Sequence, residues 1–306
     1  MYRLFKVLIG SIVLPLLFVF SCQKKQQANT DTIIGGKATI YVDESILPII
    51  EDEQAVFETE YKAKLQLVSQ SENEIVNALL KDSAKIAVLT RELSAQEINA
   101  FKAKKIYPRT TPVATDAVAF IRNKTAKDTL IVMQDVADFV NGKTFPNIKG
   151  LVFDNANSST VRYLSKVLGT TFVNQKNIFS LKKNEEVIKY VANNEGMVGI
   201  IGINWIFQPP LDLQEFVDKV TVLSVQDKNK SEYFFPTQDN LAMGKYPLAR
   251  HLYIINCQGY SGLGMGFASF LGGERGQRII LKSGLVPERM PGRKIIIRNT
   301  ITKDKN

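Results

Sequence analysis

Between residues 38 and 101 the hydrophobic pattern switches from period two to helical spacing and back, and that alternation limits the fold more than any other feature of the chain. Ala38, Ile40 and Val42 fall at period two, as in a strand with one buried face. Ser45 then opens a helical stretch, with Pro48 in its first turn and Ile49, Ile50, Val56, Phe57 and Tyr61 on one face. Residues 65–68 form the next apolar run, and Ser71-Glu72-Asn73-Glu74 is a capping box leading into Ile75, Val76, Leu79 and Leu80. A third strand is predicted over 85–89, followed by a capping box at Ser94-Ala95-Gln96-Glu97 and a helix through Phe101. Strand, helix, strand, helix, strand with short connections predicts a parallel α/β sheet with right-handed crossovers.

The same alternation continues to the end of the chain. Strands are predicted over 117–121, 150–153, 197–201, 220–225 and 252–257. Helices are predicted over 135–141, stopped by Gly142, from Ser158 through Leu168, over 185–194, and from Phe267, continuing or restarting through Leu281 to Gly284. Two α/β modules, the second inserted into the first, account for this order. The glycine-rich stretch 259–266 does not match the spacing of a dinucleotide loop and reads as a flexible connection.

Composition removes several function classes. At 45% hydrophobic residues a large core is available, and the formal charge of +9 suits an anionic ligand or an anionic membrane surface. The basic residues are scattered, apart from Arg293, Lys294, Arg298, Lys303 and Lys305 in the tail, so no nucleic-acid interface is expected. With one histidine, His251, a Ser-His nucleophile or a two-histidine zinc site has no basis, and no cofactor or metal is expected. The chain is therefore read as non-enzymatic. Cys257, in an apolar run, reads as a buried strand residue with no disulfide partner.

The N-terminus addresses the protein outside the cytoplasm. Arg3 and Lys6 precede an uncharged apolar run over 7–20, and Ser21-Cys22 ends it, the layout of an export signal rather than a spanning helix. The segment Val19-Phe20-Ser21-Cys22 resembles the bacterial lipobox, which implies a signal peptide over 1–21, lipidation at Cys22 and a membrane-anchored lipoprotein on the periplasmic side of the envelope. Residues 22–36 are polar and aperiodic and read as a flexible tether.

Three strand-to-helix corners carry the candidate binding chemistry: Asp43-Glu44-Ser45, Ser69-Gln70-Ser71, and residues 154–160 with Ser158, Ser159 and Thr160. Each places hydroxyls and free backbone N–H groups at the positive end of a helix dipole, which suits an oxyanion. Arg162 and Arg91 add charge-assisted donors. Asp43, Glu44 and Asp154 oppose an anion unless it is partly protonated, and Asp43 and Glu44 are expected to face solvent or cap a turn.

These residues resemble the periplasmic phosphate-binding proteins of ABC importers. Ser45-Ile46-Leu47-Pro48 is similar to the family's first ligand loop, Ser71 followed by Ile75 to its second, and Thr90-Arg91-Glu92-Leu93-Ser94 with Glu97 to the segment after the third strand. Residues 135–143 resemble the helix ending in Gly-Lys, and Ser158-Ser159-Thr160-Val161-Arg162 resembles the Ser-Gly-Thr-Arg ligand loop. Tyr246-Pro247-Leu248-Ala249-Arg250, Gly276-Gln277 and Gly284-Leu285-Val286-Pro287 match its late motifs. The resemblance implies a two-lobed periplasmic-binding-protein fold of type II, two α/β domains joined by hinge strands. Lobe one would span 37–115 plus 253–306, and lobe two 116–252.

It further implies that Ser45, Ile46, Ser71, Thr90, Ser158, Ser159 and Thr160 donate to phosphate or a similar oxyanion, which a monomeric receptor hands to an ABC permease in the inner membrane. Departures from the pattern are Ser69, Gln70, Glu72 and Ser159 at family glycines, and Asp154 where some members carry a phosphate-binding arginine. They leave Arg162 or Arg91 to supply the charge, or point to a different ligand. They also favour the alternative of an envelope adaptor or sensor on the same scaffold.

Overall fold

The computed structural model describes residues 31–172, 176–227 and 231–292. Signal peptide, Cys22, residues 23–30 of the tether and the basic tail from Arg293 lie outside the described residues. Among the described residues no helix is long and apolar enough to cross a membrane.

The first strands form as the alternation requires: β1 (Gly35–Asp43), β2 (Lys62–Gln70) and β3 (Ile86–Leu89), with α1 (Leu47–Glu60), α2 (Glu72–Leu80) and α3 (Ala95–Ala103) between and after them. β4 (Arg109–Asn123) is much longer than the predicted 117–121, and β5 (Leu130–Val132) and α4 (Met133–Val140) follow it. Next come β6 (Gly150–Phe153), α5 (Ser159–Leu168), β7 (Ile178–Ser180), α6 (Asn184–Asn193) and β8 (Met197–Gly202). The chain then runs through β9 (Val220–Val222), β10 (Ser224–Gln226), β11 (Tyr233–Phe234) and β12 (Ala249–Asn256). It closes with α7 (Leu263–Leu271), α8 (Glu274–Lys282) and β13 (Val286–Pro287).

One curled sheet runs β2-β1-β3-β12-β4-β8-β6-β7. β1 is parallel to β2 and β3, and β12 runs antiparallel to both β3 and β4. β4 pairs with β12 over Arg109–Ala117 and with β8 over Val118–Arg122, so a single strand passes from one lobe into the other. β8 is antiparallel to β4 and parallel to β6. These directions aim the carboxyl ends of β1, β2 and β3 at the carboxyl ends of β6 and β8. In α/β sheets those ends carry the ligand-binding corners.

Several local expectations change. The run 220–225 is two strands: β9 pairs with β4, whereas β10 joins β5 and β11 in a separate three-stranded sheet. The glycine-rich stretch 259–266 is not a loose connection, because α7 begins at Leu263, whose N–H donates to the Asp31 carboxylate. A side chain at Gly266 would collide with the Ile33 carbonyl, so residues 31–33 are packed into the body rather than belonging to a tether. Gly35 and Gly36 lie in β1, paired with Lys62 and Ala63 of β2. Val56 is half-exposed, while Phe57 is buried and sets its ring 5.3 Å from both Phe267 and Phe270. Ser45 does not cap α1; it sits in a 3-10 turn, Glu44–Ile46, capped by Asp43.

The buried stripe of α1 has one anomaly. Ile46, Ile49, Ile50 and Phe57 face the core, and Glu53 sits among them, fully buried, with no hydrogen-bond partner for either carboxylate oxygen. Burial, helped by the neighbouring Asp52, pushes its pKa up to about 9. A raised folded-state pKa stabilises below the unfolded value and is lost as pH rises through the folded one. Stability is therefore expected to fall from about pH 4.5 toward pH 9. The Glu53→Met protein should be more stable by about 5 kcal/mol at pH 8 and flatter in its pH dependence, measured by chemical denaturation.

Candidate functional site

An arginine of β12 stands where the corners after β1 and β6 come together. Arg250 of β12 lies opposite Asp116 of β4, and its Nε and Nη2 donate to Asp116 Oδ2 at 3.0 and 2.8 Å. Both are buried. Burial pushes the Asp116 carboxyl up, and the guanidinium pulls it back down. Anchored in this way, the guanidinium projects to both lobes: Nη2 donates to Ser45 Oγ at 2.9 Å and Nη1 to Ser159 Oγ at 3.1 Å.

The two serines meet each other. Ser45 Oγ and Ser159 Oγ are 3.1 Å apart, although 114 positions separate them in sequence. Ser45 Oγ donates to Asp43 Oδ1 at 2.7 Å, so its lone pairs receive the arginine and the Ser159 hydroxyl. Its carbonyl accepts from Asn204 Nδ2 at 2.9 Å. Gly202, at the end of β8, leaves the space for this contact: a Cβ there would fall well inside van der Waals distance of the Ser45 carbonyl. Thr160 Oγ1, Asp43 Oδ2, Asp116 Oδ1 and Asn204 Oδ1 are buried in the same region without hydrogen-bond partners. Orphaned buried polar atoms are rare, and four of them belong to residues of these corners and the hinge.

The remaining predicted residues take other positions. Ile46 is buried beside Ser45, and Thr90 is buried just beyond β3. Ser158 caps α5 and donates to Asp154 Oδ1 at 2.6 Å. Ser71 donates through N–H and Oγ to Glu74 at 3.0 and 2.6 Å, completing its capping box. Arg91 and Arg162 do not join Arg250. Both pair with Glu72, and Arg91 also makes bonds of 2.7 and 2.8 Å to Glu97. Glu72 is buried, so holding two arginines is what makes its charge tolerable there. Asp43 is buried and caps the turn Glu44–Ile46, one of its two expected positions, whereas Glu44 does not face solvent but accepts from Asn184.

Arg250, Asp116, Asn184 and Asn204 are the functional candidates that sequence reasoning missed. A buried arginine in an apolar strand run was the available signal at Arg250; the asparagines carried none. Among the described residues, no group of His, Cys, Asp or Glu side chains has the arrangement of a metal site.

Two α/β lobes joined by hinge strands match a known superfamily. A model of the PBP superfamily domain matches residues 26–275. The chain belongs to the PBP superfamily. Among solved structures, it is similar to a phosphate-bound substrate-binding protein assigned to phosphate ABC transport in Clostridium perfringens. The TM-score is 0.67 at 18% identity, covering 83% of this chain and 100% of the other. An ABC-type phosphate transport receptor from Vibrio cholerae aligns with a TM-score of 0.60 at 18% identity over 82% and 100%. The regulatory domain of CcmR from Synechocystis PCC6803, in complex with 2-PG, aligns with a TM-score of 0.51 at 12% identity over 77% and 95%. No curated protein sequence matches the chain. PBP folds thus serve transport receptors and regulatory domains alike, and the ligand has to be argued from the site.

Proposed function

We propose that this PBP-superfamily protein is a non-enzymatic, extracytoplasmic solute-binding lipoprotein that takes an inorganic oxyanion, phosphate first among them, between its lobes for an ABC importer. The supporting observation is the convergence of Ser45 and Ser159, one from each lobe, on the guanidinium of Arg250. An anion entering between the serines takes the Ser159 proton from their mutual hydrogen bond and the Ser45 proton from Asp43, and gains a charge-assisted pair from Arg250. Thr160 Oγ1 is a further donor without a partner, and Asp43 Oδ2 is an acceptor without one. That pairing fits an anion that still carries a proton. Hydrogen phosphate supplies the proton; sulfate does not, and leaves a buried carboxylate facing it. The structural relatives that bind phosphate support the same choice.

In this reading Cys22 carries the lipid, residues 22–30 are the tether, and the monomer divides near 115/116 and 252/253. Closure brings donors from both lobes onto one ligand, so affinity and hinge motion are coupled. Titration calorimetry with phosphate, sulfate and molybdate tests it. Phosphate is expected to bind at least about 100-fold more tightly than sulfate, the discrimination expected when a buried polar group is left unpaired.

A second reading is favoured by one observation: Glu72 holds both Arg91 and Arg162, and Arg250, beside Asp43, Glu44 and Asp154, is itself paired with Asp116. An envelope adaptor or sensor needs no more than that. No heat with any of the three anions would select it.

A further inference from the structure

Lobe one and lobe two meet at a second polar contact, made by acids rather than donors. Glu44, at the end of β1, reaches Asn184 at the start of α6: the Asn184 N–H donates to Glu44 Oε1 at 2.9 Å and its side-chain amide to Glu44 Oε2. The same amide nitrogen donates to Asp154 Oδ2 at 3.2 Å. One NH2 group therefore holds two carboxyl groups side by side, one from each lobe. Ser158 Oγ takes the other Asp154 oxygen at 2.6 Å, and Asn184 is itself fully buried, its Oδ1 accepting from Gly202 N–H at 3.4 Å. Among the described residues, no lysine or arginine forms an ion pair with Glu44 or Asp154.

The geometry points to a proton-operated latch: Glu44 and Asp154, joined through Asn184, hold the lobes together while a proton lies between them and push them apart when both ionise. The inference concerns the regulation of the cleft proposed above as the oxyanion site and rests on that reading for its consequence, not for its mechanism. Two carboxylates sharing one buried donor repel each other, and the protonated form removes the repulsion.

The surroundings deepen the effect. Burial first, then the Asp154 charge, pushes Glu44 up to about 9, and burial pushes Asp154 up to about 6. Asp43, on the same turn as Glu44, adds a like charge to both. Arg250, across the cleft and paired with Asp116, acts on Asp154 in the opposite sense. The strand Met197–Gly202 and the one-turn helix Asn204–Phe207 bring no titratable side chain, while α6 begins with Glu185 and Glu186 after Lys183. Opening returns Glu44 to water and to an ordinary carboxylate pKa, so closing takes up a proton at neutral pH. Closure is favoured below the open-state pKa and is lost as pH rises through the closed-state value.

Small-angle scattering of the full body, residues 23–306, without added ligand at pH 5.5 and 9.5, with circular dichroism in parallel, tests the latch. The wild-type radius of gyration is expected to rise at pH 9.5 with the dichroism unchanged, and the Glu44→Gln protein to keep one radius at both values. An unchanged wild-type radius, an expansion accompanied by loss of the dichroism signal, or equal opening in Glu44→Gln would overturn it. If Glu44→Gln fails to fold, the wild-type series alone decides. Calorimetry separates the two readings: opening without phosphate binding defeats the ligand assignment alone, and phosphate binding with a pH-invariant radius defeats the latch alone.

Discussion

Replacing Arg250 with methionine is expected to abolish oxyanion binding and to cost the fold about 3–5 kcal/mol, the usual penalty for breaking a buried ion pair from one side. The binding loss follows from position: the guanidinium touches a hydroxyl from each lobe. The stability loss follows from Asp116, which would remain buried between β4 and β12 with neither oxygen partnered. The two effects separate. In an Arg250→Met/Asp116→Leu double variant the pair is replaced by apolar side chains, and such replacements are close to neutral. Denaturant midpoints should therefore recover in the double variant, while calorimetry with phosphate stays silent. A double variant that still binds would show that the cation for the anion comes from elsewhere.

Gly202→Ala is expected to weaken binding about 10–100-fold, because overpacking by one methyl costs about 1–3 kcal/mol. The added Cβ lands on the Ser45 carbonyl, which belongs to the other lobe, so the strain exists only when the lobes are together. Thermal midpoint without ligand should change little. Gly199→Ala is the contrasting variant. Three residues earlier on the same strand, its Cβ would lie 2.8 Å from side-chain atoms of Ile121 and Val191, within the core of a single lobe. It should lower the thermal midpoint and leave affinity alone. Equal loss of affinity in both variants would mean that Gly202 acts through general destabilisation.

The fold was legible because its signals are local. Capping boxes at Ser71 and Ser94, period two at Ala38, Ile40 and Val42, and the helix stop at Gly142 each depend on a few neighbouring residues, and the structure keeps all of them. Where local signals are shared between elements, they fail. Residues 220–225 read as one strand, but Leu223 N–H bonds to Phe120 and Ser224 N–H to Thr129, so the chain changes sheets between them. In the glycine-rich stretch 259–266, Asp31, more than 200 positions away, supplies the acceptor that starts α7.

The site divides along the same line. Hydroxyls at strand ends could be found from their corners, and Ser45 and Ser159 do meet. Which cation serves them could not, because that depends on strand pairing and on competing carboxylates. Glu72 stands at a position where glycine is usual in the resembling family, and a carboxylate there captures Arg91 and Arg162. Arg250 is freed of that competition by its register opposite Asp116, a pairing of β12 with β4 across 134 residues.

A crystal structure of residues 23–306 grown with phosphate would address the binding assignment most directly. The phosphorus atom is expected between Ser45 Oγ and Ser159 Oγ, with both hydroxyls, the Arg250 guanidinium and Thr160 Oγ1 within hydrogen-bonding distance of its oxygens, and Asp43 Oδ2 accepting its proton. Phosphate seated elsewhere, or a cleft in which the two serines still touch each other at saturating phosphate, would contradict the account.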